Sequence, residues 1–391
     1  VPKENSILVI SNSTRKLFQA IYGERHQEEK REDGEAKIKV SELISKVAFY
    51  YEKIRNSVDY KEEHLLRKNA IVRILNRQIV IEGVVQEVKA EEAAKHLLTE
   101  LIRAGYLPNN KIPETKIGEI EKVIDKYIKL RQYGARSIDI GRNSVSKAVN
   151  KYKAKNELTQ WIITLLGCDI EERLGRNKID QMVISNMYET LNSLLELPAS
   201  STYASDKDIQ LYIAIHRNLL KFDRDMTEFI LFKYFNVDWR AAAGEITEKI
   251  GKNISVLREV INRQIEHPLA GQMNVFVRRY AVYFTILTDV IAVNPAVVFE
   301  NFKADPKAFP RDIKNICKKR YSTARRKLWR AAVRSIIYIF ITKSIFVVLL
   351  EVPAIKLFGE EINFFSLGIN IGFPAVLLFL IVLFTSLPSD K

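Results

Sequence analysis

One helix-spaced triplet combines side chains that can bind a metal ion or move a proton. Glu92, His96 and Glu100 recur every four residues, which places them on one face of a helix. A carboxylate beside an imidazole suits metal binding or proton transfer. Completing such a site requires a second acidic or histidine-bearing helix, and His64, which follows two glutamates, is the nearby candidate. We interpret the triplet as a solvated helix face and predict no metal site.

A second motif pairs two aspartates with a threonine. Asp223, Asp225 and Thr227 form a D-x-D-x-T sequence after an apolar run, which resembles the nucleophile motif of haloacid-dehalogenase-type phosphatases. That family places these aspartates at the end of a parallel strand and uses later acidic residues for Mg²⁺. Here the preceding residues have a helical period and no Asp-Asp pair follows. Asp225 and Glu228 instead match a helix start, in which Asp accepts a hydrogen bond from the N3 amide.

Sequence signatures of catalysis and cofactor binding are otherwise missing. The chain contains no G-x-G-x-x-G, no P-loop, no H-E-x-x-H, no C-x-x-C and no serine nucleophile elbow. Its two cysteines, Cys168 and Cys317, lie far apart, which suits a reducing compartment rather than a disulfide framework. We therefore predict a protein that is not an enzyme, with no catalytic residue and no cofactor.

The positive charge of the chain is concentrated in one segment. Residues 311–334 contain ten basic residues and one acidic residue, so they carry nine of the fourteen net positive charges. A basic block directly before an apolar segment is the positive-inside signal of a cytoplasmic flank, and it favours anionic lipid headgroups over nucleic acid as the partner. The candidate lipid- or anion-binding residues are Lys318, Lys319, Arg320, Arg325, Arg326, Lys327, Arg330 and Arg334.

Two apolar segments follow the basic block. They run from about 331 to 355 and from about 363 to 387, and each is long enough for the ~20 residues that cross a hydrocarbon core. Residues 351–362 are net acidic, so this connecting segment is expected to cross the bilayer. The pattern predicts a multi-pass membrane protein with two spans and the bulk of the chain in the cytoplasm, and we expect a bacterial plasma membrane.

Four residues within the spans are candidates for a role beyond anchoring. Lys343 lies near the middle of the first span, where a charge costs at least ~2.5 kcal/mol on insertion scales unless its stem snorkels to the headgroups. Gly368 and Gly372 form a G-x-x-x-G motif, which lets helix backbones approach closely, either between the spans or between two copies of the chain. Asn370 lies between these glycines and is predicted to hydrogen-bond across helices.

The region before the basic block has helical periodicity nearly throughout. Only residues 6–10 and 79–85 are candidates for strands. Segment 275–293 is apolar enough to suggest a third span, but Arg278, Arg279 and Asp289 interrupt it, so we interpret it as a core helix. The predicted fold class is all-α, with a multi-helix cytoplasmic region followed by a C-terminal two-helix transmembrane hairpin.

Stretches of charged or small residues suggest the domain boundaries. The predicted parts are an N-terminal segment with a charged linker (1–37), three helical subdomains (38–135, 140–197 and 204–310), a basic juxtamembrane helix (311–334) and the hairpin (335–387).

These features favour a non-enzymatic, membrane-anchored interaction or scaffold protein that binds a protein partner or a second copy of itself. One alternative is an oligomeric subunit of a transport, channel or secretion complex that uses Lys343. A second is binding of anionic lipid or nucleic acid through residues 311–334. A third is a membrane-tethered hydrolase with dispersed catalytic residues, which a deep polar pocket joining Glu92, His96 and another helix would support.

Overall fold

The chain is helical, as predicted. The computed structural model describes residues 17, 36–41, 52, 62–81, 89–139, 146–175, 178–198, 202–242, 244–293, 308–359 and 363–385. Helices contain 86% of these described residues, and no strand occurs among them. The all-α fold class is therefore confirmed. The chain divides into two compact units, Val9–Thr288 (the helical domain) and Asp289–Lys391 together with Val1–Leu8 (the hairpin unit).

Ten α-helices among the described residues begin in the helical domain. They are α1 (Glu63–Asn76), α2 (Ala90–Arg103), α3 (Thr115–Asp139), α4 (Ser146–Gly175), α5 (Lys178–Leu194), α6 (Lys207–Leu219), α7 (Arg224–Phe235), α8 (Gly244–Lys252), α9 (Ile254–Ile265) and α10 (Ala270–Val293). Short 3₁₀ helices, Ala204–Asp206 and Val237–Ala241, precede α6 and follow α7.

One candidate strand is in fact part of a helix. Residues Arg77–Ile81 continue α1 as a π-helical turn, so the strand predicted over 79–85 is wrong for its first three residues. The apolar residues Ile71, Leu75 and Ile79 recur every four positions and are all buried, which is the pattern of one helix face. Residues 82–85 and the other candidate strand, 6–10, lie outside the described part of the chain.

Two apolar cores hold the helical domain together. The larger core takes residues from all three predicted subdomains; its fully buried members include Leu97, Ile124, Tyr127, Leu165, Phe229, Trp239 and Ile261. The smaller core joins α5, α6 and α10 through Met187, Leu211, Ile215, Met273, Val277 and Ala281. These contacts of α10 agree with its interpretation as a core helix rather than a third span.

Two glycines allow α3 and α8 to approach at backbone distance. A Cβ atom on Gly251 would lie 2.5 Å from Cβ of Tyr133 and 3.4 Å from the carbonyl oxygen of Leu130. A Cβ atom on Gly134 would lie 3.0 Å from Cγ2 of Ile254. Such short distances leave no room for a side chain at position 251. Glycine is therefore required there by the packing of the helices and not by its backbone conformation.

The hairpin unit consists of long apolar helices. It contains α11 (Ala308–Phe346), a π-helical turn (Val347–Glu351), α12 (Val352–Leu357) and α13 (Phe364–Phe384). Two helices among the described residues, Pro310–Leu357 and Phe364–Phe384, are long and apolar enough to cross a membrane. In their most apolar windows only 6% and 11% of the residues are buried, so their apolar side chains are not the interior of a core.

The first apolar helix ends at Leu357, two residues beyond the predicted end of the span at about 355. Glu351, which we expected in the connecting segment, lies inside the continuous helical stretch that ends at Leu357. Gly359 has a φ of +73°, and its N–H donates to the carbonyl of Lys356 at 3.2 Å. A glycine in this left-handed conformation is a common helix terminator, and it accounts for the later end.

Candidate functional site in the basic helix and the hairpin

The basic segment forms an exposed collar on α11. All eight candidate anion-binding residues are exposed. They form three rows whose members are seven residues apart, or four in the case of Arg326 and Arg330, and are therefore on nearly the same side of the helix. The rows are Lys318 with Arg325, Lys319 with Arg326 and Arg330, and Arg320 with Lys327 and Arg334. The rows are ~100° apart and extend over ~24 Å. We call these eight residues the basic collar.

Arg320 of the basic collar has an acidic partner, Asp289. Nε of Arg320 donates a hydrogen bond to the carboxylate of Asp289, which compensates one of the eight positive charges. Nε of Arg330 donates to the backbone carbonyl of Arg326 at 3.4 Å, a contact that leaves its charge in place. The collar therefore presents a strongly positive surface on most sides of α11, which is suited to several anionic groups at once rather than to one buried anion.

Beyond Arg334 the surface of the same helix becomes apolar. Large apolar side chains on α11, the π turn and α13 are about half exposed or more; they include Ile337, Phe340, Ile345, Val348, Leu349, Phe373, Val376 and Ile381. The hydroxyls of Thr342 and Ser344 each donate to a carbonyl of the preceding turn at 2.8 Å. Polar groups satisfied within their own helix are what a hydrocarbon environment requires.

A polar contact joins the two apolar helices. Nδ2 of Asn370 on α13 donates to Oε1 and Oε2 of Glu351 at 3.0 and 2.9 Å. Sequence reasoning identified Asn370 as a hydrogen-bonding residue but missed Glu351. The sequence did not indicate Glu351 as the partner, because Glu351 was assigned to the segment that connects the two spans. A second contact between α11 and α13 places the rings of Trp329 and Phe379 6.4 Å apart.

Lys343 lies one turn before Val347, which is buried. Residues four apart share a helix face, so Lys343 is on the side of α11 that leads to Val347 and Glu351. Within the described part of the chain, its ammonium lies 5.8 Å from the ring centroid of Phe346, a cation–π contact. The contact with the Phe346 ring partly stabilises the positive charge of Lys343.

The G-x-x-x-G glycines do not contact α11. A Cβ atom on either Gly368 or Gly372 would meet nothing within 4 Å. The buried residues of α13 are Leu367 and Ala375 instead. The motif therefore does not determine how the two helices of one chain pack, and its role in packing two copies together stays a prediction.

The D-x-D-x-T motif has a structural role in the helical domain. Asp223 is the N-cap of α7, and its Oδ1 accepts from the amide of Met226 at 3.0 Å. The predicted cap, Asp225, is wrong by two positions, because Asp223 is the residue with extended backbone before the first helical turn. Both aspartates bind one buried lysine: Nζ of Lys68 lies 2.6 Å from Asp223 and 2.5 Å from Asp225.

The environment of Lys68 keeps it charged. Its side chain is 1% exposed, and burial by itself lowers the pKa of an amine. Interactions with Cys168 and with the carboxylates of Asp223 and Asp225 outweigh burial, so the pKa of Lys68 is raised. The two aspartates are thus occupied as counter-charges, and no strand among the described residues presents them as a nucleophile.

Among the described residues, the helix-spaced triplet on α2 is not part of a cluster that could bind a metal ion. Glu92 and His96 are exposed, and Glu100 pairs with Arg103 at 3.0 Å. No group of three His, Cys, Asp or Glu side chains in the described residues could hold a metal ion.

Comparison with protein-family models, with curated proteins and with solved structures finds no match to this chain.

Proposed function

We propose that this chain is a membrane-anchored interaction protein. Its apolar helices cross a bilayer as a hairpin, its basic collar binds anionic headgroups on the cytoplasmic side, and its helical domain serves as a non-enzymatic binding module. The observation that carries the proposal is the continuity of α11, in which exposed cations give way to exposed apolar side chains on one uninterrupted helix.

The surface chemistry of the hairpin unit supports membrane insertion. Soluble monomers rarely expose contiguous apolar patches larger than a few hundred Å², whereas most large apolar side chains of α11 and α13 are exposed. Each Lys or Arg close to an anionic leaflet contributes ~1 kcal/mol of attraction. The eight exposed cations of the basic collar lie at one end of the apolar part of α11, so this attraction favours one orientation of the hairpin. Trp329 lies within the collar, consistent with the preference of tryptophan for the interface.

Membrane insertion is tested by alkaline extraction of membranes from cells that express the full chain. An integral protein is expected to stay in the pellet, and release into the supernatant would overturn the proposal. The Arg325→Glu/Arg326→Glu/Lys327→Glu variant serves as the comparison, because it keeps the apolar helices and should also stay in the pellet.

The orientation is tested with the native Cys317, which lies on α11 before the apolar part. In a Cys168→Ala background, a membrane-impermeant maleimide should label Cys317 in inside-out vesicles and not in intact cells. The matched control is Phe358→Cys with Cys317→Ala, since Phe358 is exposed at the opposite end of the apolar helix. It should show the reverse labelling. Labelling of Cys317 from outside would contradict a cytoplasmic collar.

A second candidate function is a subunit of an oligomeric transport or secretion complex. It is favoured by the shared face of Lys343, Val347 and Glu351, which places two ionisable groups along α11 within the apolar hairpin. Crosslinking in native membranes, followed by mass spectrometry, is the test that separates the two candidates. A homo-oligomer that disappears in Lys343→Leu would favour the complex subunit, and unchanged capture of a protein partner would favour the interaction protein.

A further inference from the structure

The helical domain contains a cavity that the proposed function does not use. It has a volume of about 350 Å³ and lies between α5, α6, α7 and the 3₁₀ helix Val237–Ala241. The residues that determine its chemistry are Tyr212, His216, Lys233, Tyr234, Trp239 and Arg240. We call it the aromatic cavity. Its volume is within the 300–1,000 Å³ typical of small-molecule sites.

One wall of the aromatic cavity is a row of three rings in contact, with neighbouring planes tilted by 44° and 55°. The ring centroids of Tyr212 and Tyr234 are 5.5 Å apart, and those of Tyr212 and His216 are 4.3 Å apart. Nδ1 of His216 lies 2.9 Å from the carbonyl oxygen of Tyr212, which fixes the orientation of the imidazole. Aromatic rings held in this way offer both faces and edges to the ring of a planar ligand.

A partly buried ion pair includes Lys233, which lines the aromatic cavity. Nζ of Lys233 lies 2.7 and 2.5 Å from the two carboxylate oxygens of Glu172, and Nε2 of Gln181 donates to the same carboxylate at 3.2 Å. On the other side of Glu172 lies a smaller cavity of about 160 Å³ that is also lined by Glu171 and Asp180. The acidic lining behind the ion pair disfavours an anion there.

The side of the aromatic cavity that is formed by Arg240 is positively charged. Arg240 is exposed and lines the aromatic cavity, and no described residue that lines it is a carboxylate. The charge of Lys233 is already matched by Glu172, so the Arg240 guanidinium is the cation presented to a ligand. Guanidinium groups bind carboxylates and phosphates in a bidentate manner. The cavity therefore favours a ligand whose anionic group lies at Arg240 and whose ring lies against the aromatic side chains.

We propose that the aromatic cavity binds a small molecule that consists of a planar aromatic ring with an anionic group, the ring packed against Tyr212 and Tyr234 and the anionic group paired with Arg240. This adds a small-molecule site to the helical domain, independent of the basic collar.

Calorimetric titration of the full chain in detergent tests the proposal with four probes. AMP and salicylate have a ring and a negative charge, whereas adenosine and salicylamide are their neutral counterparts. At least one anionic probe is expected to bind saturably and at least tenfold more tightly than its neutral counterpart. Absence of saturable binding by both anionic probes overturns the proposal.

Three variants locate the binding. Arg240→Ala should weaken the anionic probe at least tenfold and leave its neutral counterpart unchanged, because Arg240 is exposed and not part of the core. Tyr212→Leu should weaken both probes of the pair. Arg263→Ala is the matched control, since Arg263 is an exposed arginine on α9 that pairs with Glu259, and it should bind like the unmodified chain. Equal affinity of Arg240→Ala for the anionic probe would place the binding on the basic collar and overturn the proposal.

Discussion

The side-chain amide of Asn370 donates to both carboxylate oxygens of Glu351, at 3.0 and 2.9 Å. The two residues belong to different apolar helices, and Glu351 ends the π-helical turn Val347–Glu351. A π turn inserts extra backbone into a helix and is frequent at functional positions. Here the π turn ends at Glu351, the residue that accepts the hydrogen bonds from Asn370. The π turn and the contact between the two apolar helices therefore lie at the same place.

Replacing Asn370 should weaken the hairpin. Asn370→Leu removes both donors from Glu351, and interhelical hydrogen bonds in membranes contribute ~0.6–2 kcal/mol. We expect a loss of that size in SDS-driven unfolding of the full chain in mixed micelles. Thr342→Val is the control, because its hydroxyl bonds only to its own helix. Equal stability of the two variants would mean that the contact does not stabilise the hairpin.

Neutralising the partners of Lys68 should destabilise the helical domain strongly. The Asp223→Asn/Asp225→Asn variant keeps a capping side chain at position 223 but leaves a 1% exposed ammonium without counter-charge. Removing one side of a buried ion pair costs ~3–5 kcal/mol. Chemical denaturation should show a loss of that order, and adding Lys68→Met should recover part of it. Asp125→Asn, in an ion pair whose two side chains are half exposed, should change stability by less than ~0.5 kcal/mol.

The stability of the helical domain should fall at alkaline pH. Burial raises the pKa of the Cys168 thiol well above its ordinary value, and burial likewise raises the pKa of the Tyr127 phenol. The unfolded chain releases these protons first, from about pH 8.5 for the thiol, so the free energy of unfolding decreases as the pH rises further. Below that pH the contribution of Cys168 is fully present.

This pH dependence can be assigned with one variant. Cys168→Ala, measured by denaturation from pH 7 to pH 10, should be less stable at neutral pH because its packing is poorer. Its stability should nevertheless decrease less than that of the unmodified chain between pH 8.5 and pH 10. Parallel curves would show that the buried thiol is not responsible.

Adding one methyl group should distinguish two glycines. Gly251→Ala places a Cβ 2.5 Å from that of Tyr133, and overpacking of this kind costs ~1–3 kcal/mol. Gly118→Ala meets nothing within 4 Å on α3, so the better helix propensity of alanine should raise stability by ~0.5–1 kcal/mol. Thermal melts of both variants test the pair, and a stabilising Gly251→Ala would contradict the close approach of α3 and α8.

The basic collar should select anionic lipid. In bilayers that contain brominated lipid, Trp329 fluorescence should be quenched more by brominated phosphatidylglycerol than by brominated phosphatidylcholine. Replacing Lys318, Lys319, Arg325 and Arg326 with glutamine should remove most of this preference, since each cation contributes ~1 kcal/mol. Lys318→Arg/Lys319→Arg keeps the charge and should retain it. An unchanged preference in the glutamine variant would exclude the collar as the lipid-binding surface.

Local sequence patterns predicted the helices, the basic block and the two apolar segments, because each depends on residues that are close in sequence. Contacts between distant segments were not predictable in the same way. Lys68 and Asp223 meet only through the packing of α1 against the start of α7. The aromatic cavity is lined by Gln181, Tyr212 and Arg240, which belong to three separate elements. The sequence around each of these residues has the pattern of a helix or a turn and does not indicate a cavity.

In the proposed membrane setting, the layout of the basic collar acts differently on two properties of α11: its depth in the bilayer and its rotation about its own axis. Rolling α11 by ~100° about its axis would exchange one row of cations for another, so headgroup attraction changes little with the roll angle. The collar can therefore hold α11 at a given depth without choosing which side faces a neighbouring protein. Within one chain, the rotation of α11 relative to α13 depends instead on directional contacts, namely the hydrogen bonds between Glu351 and Asn370 and the ring contact of Trp329 with Phe379.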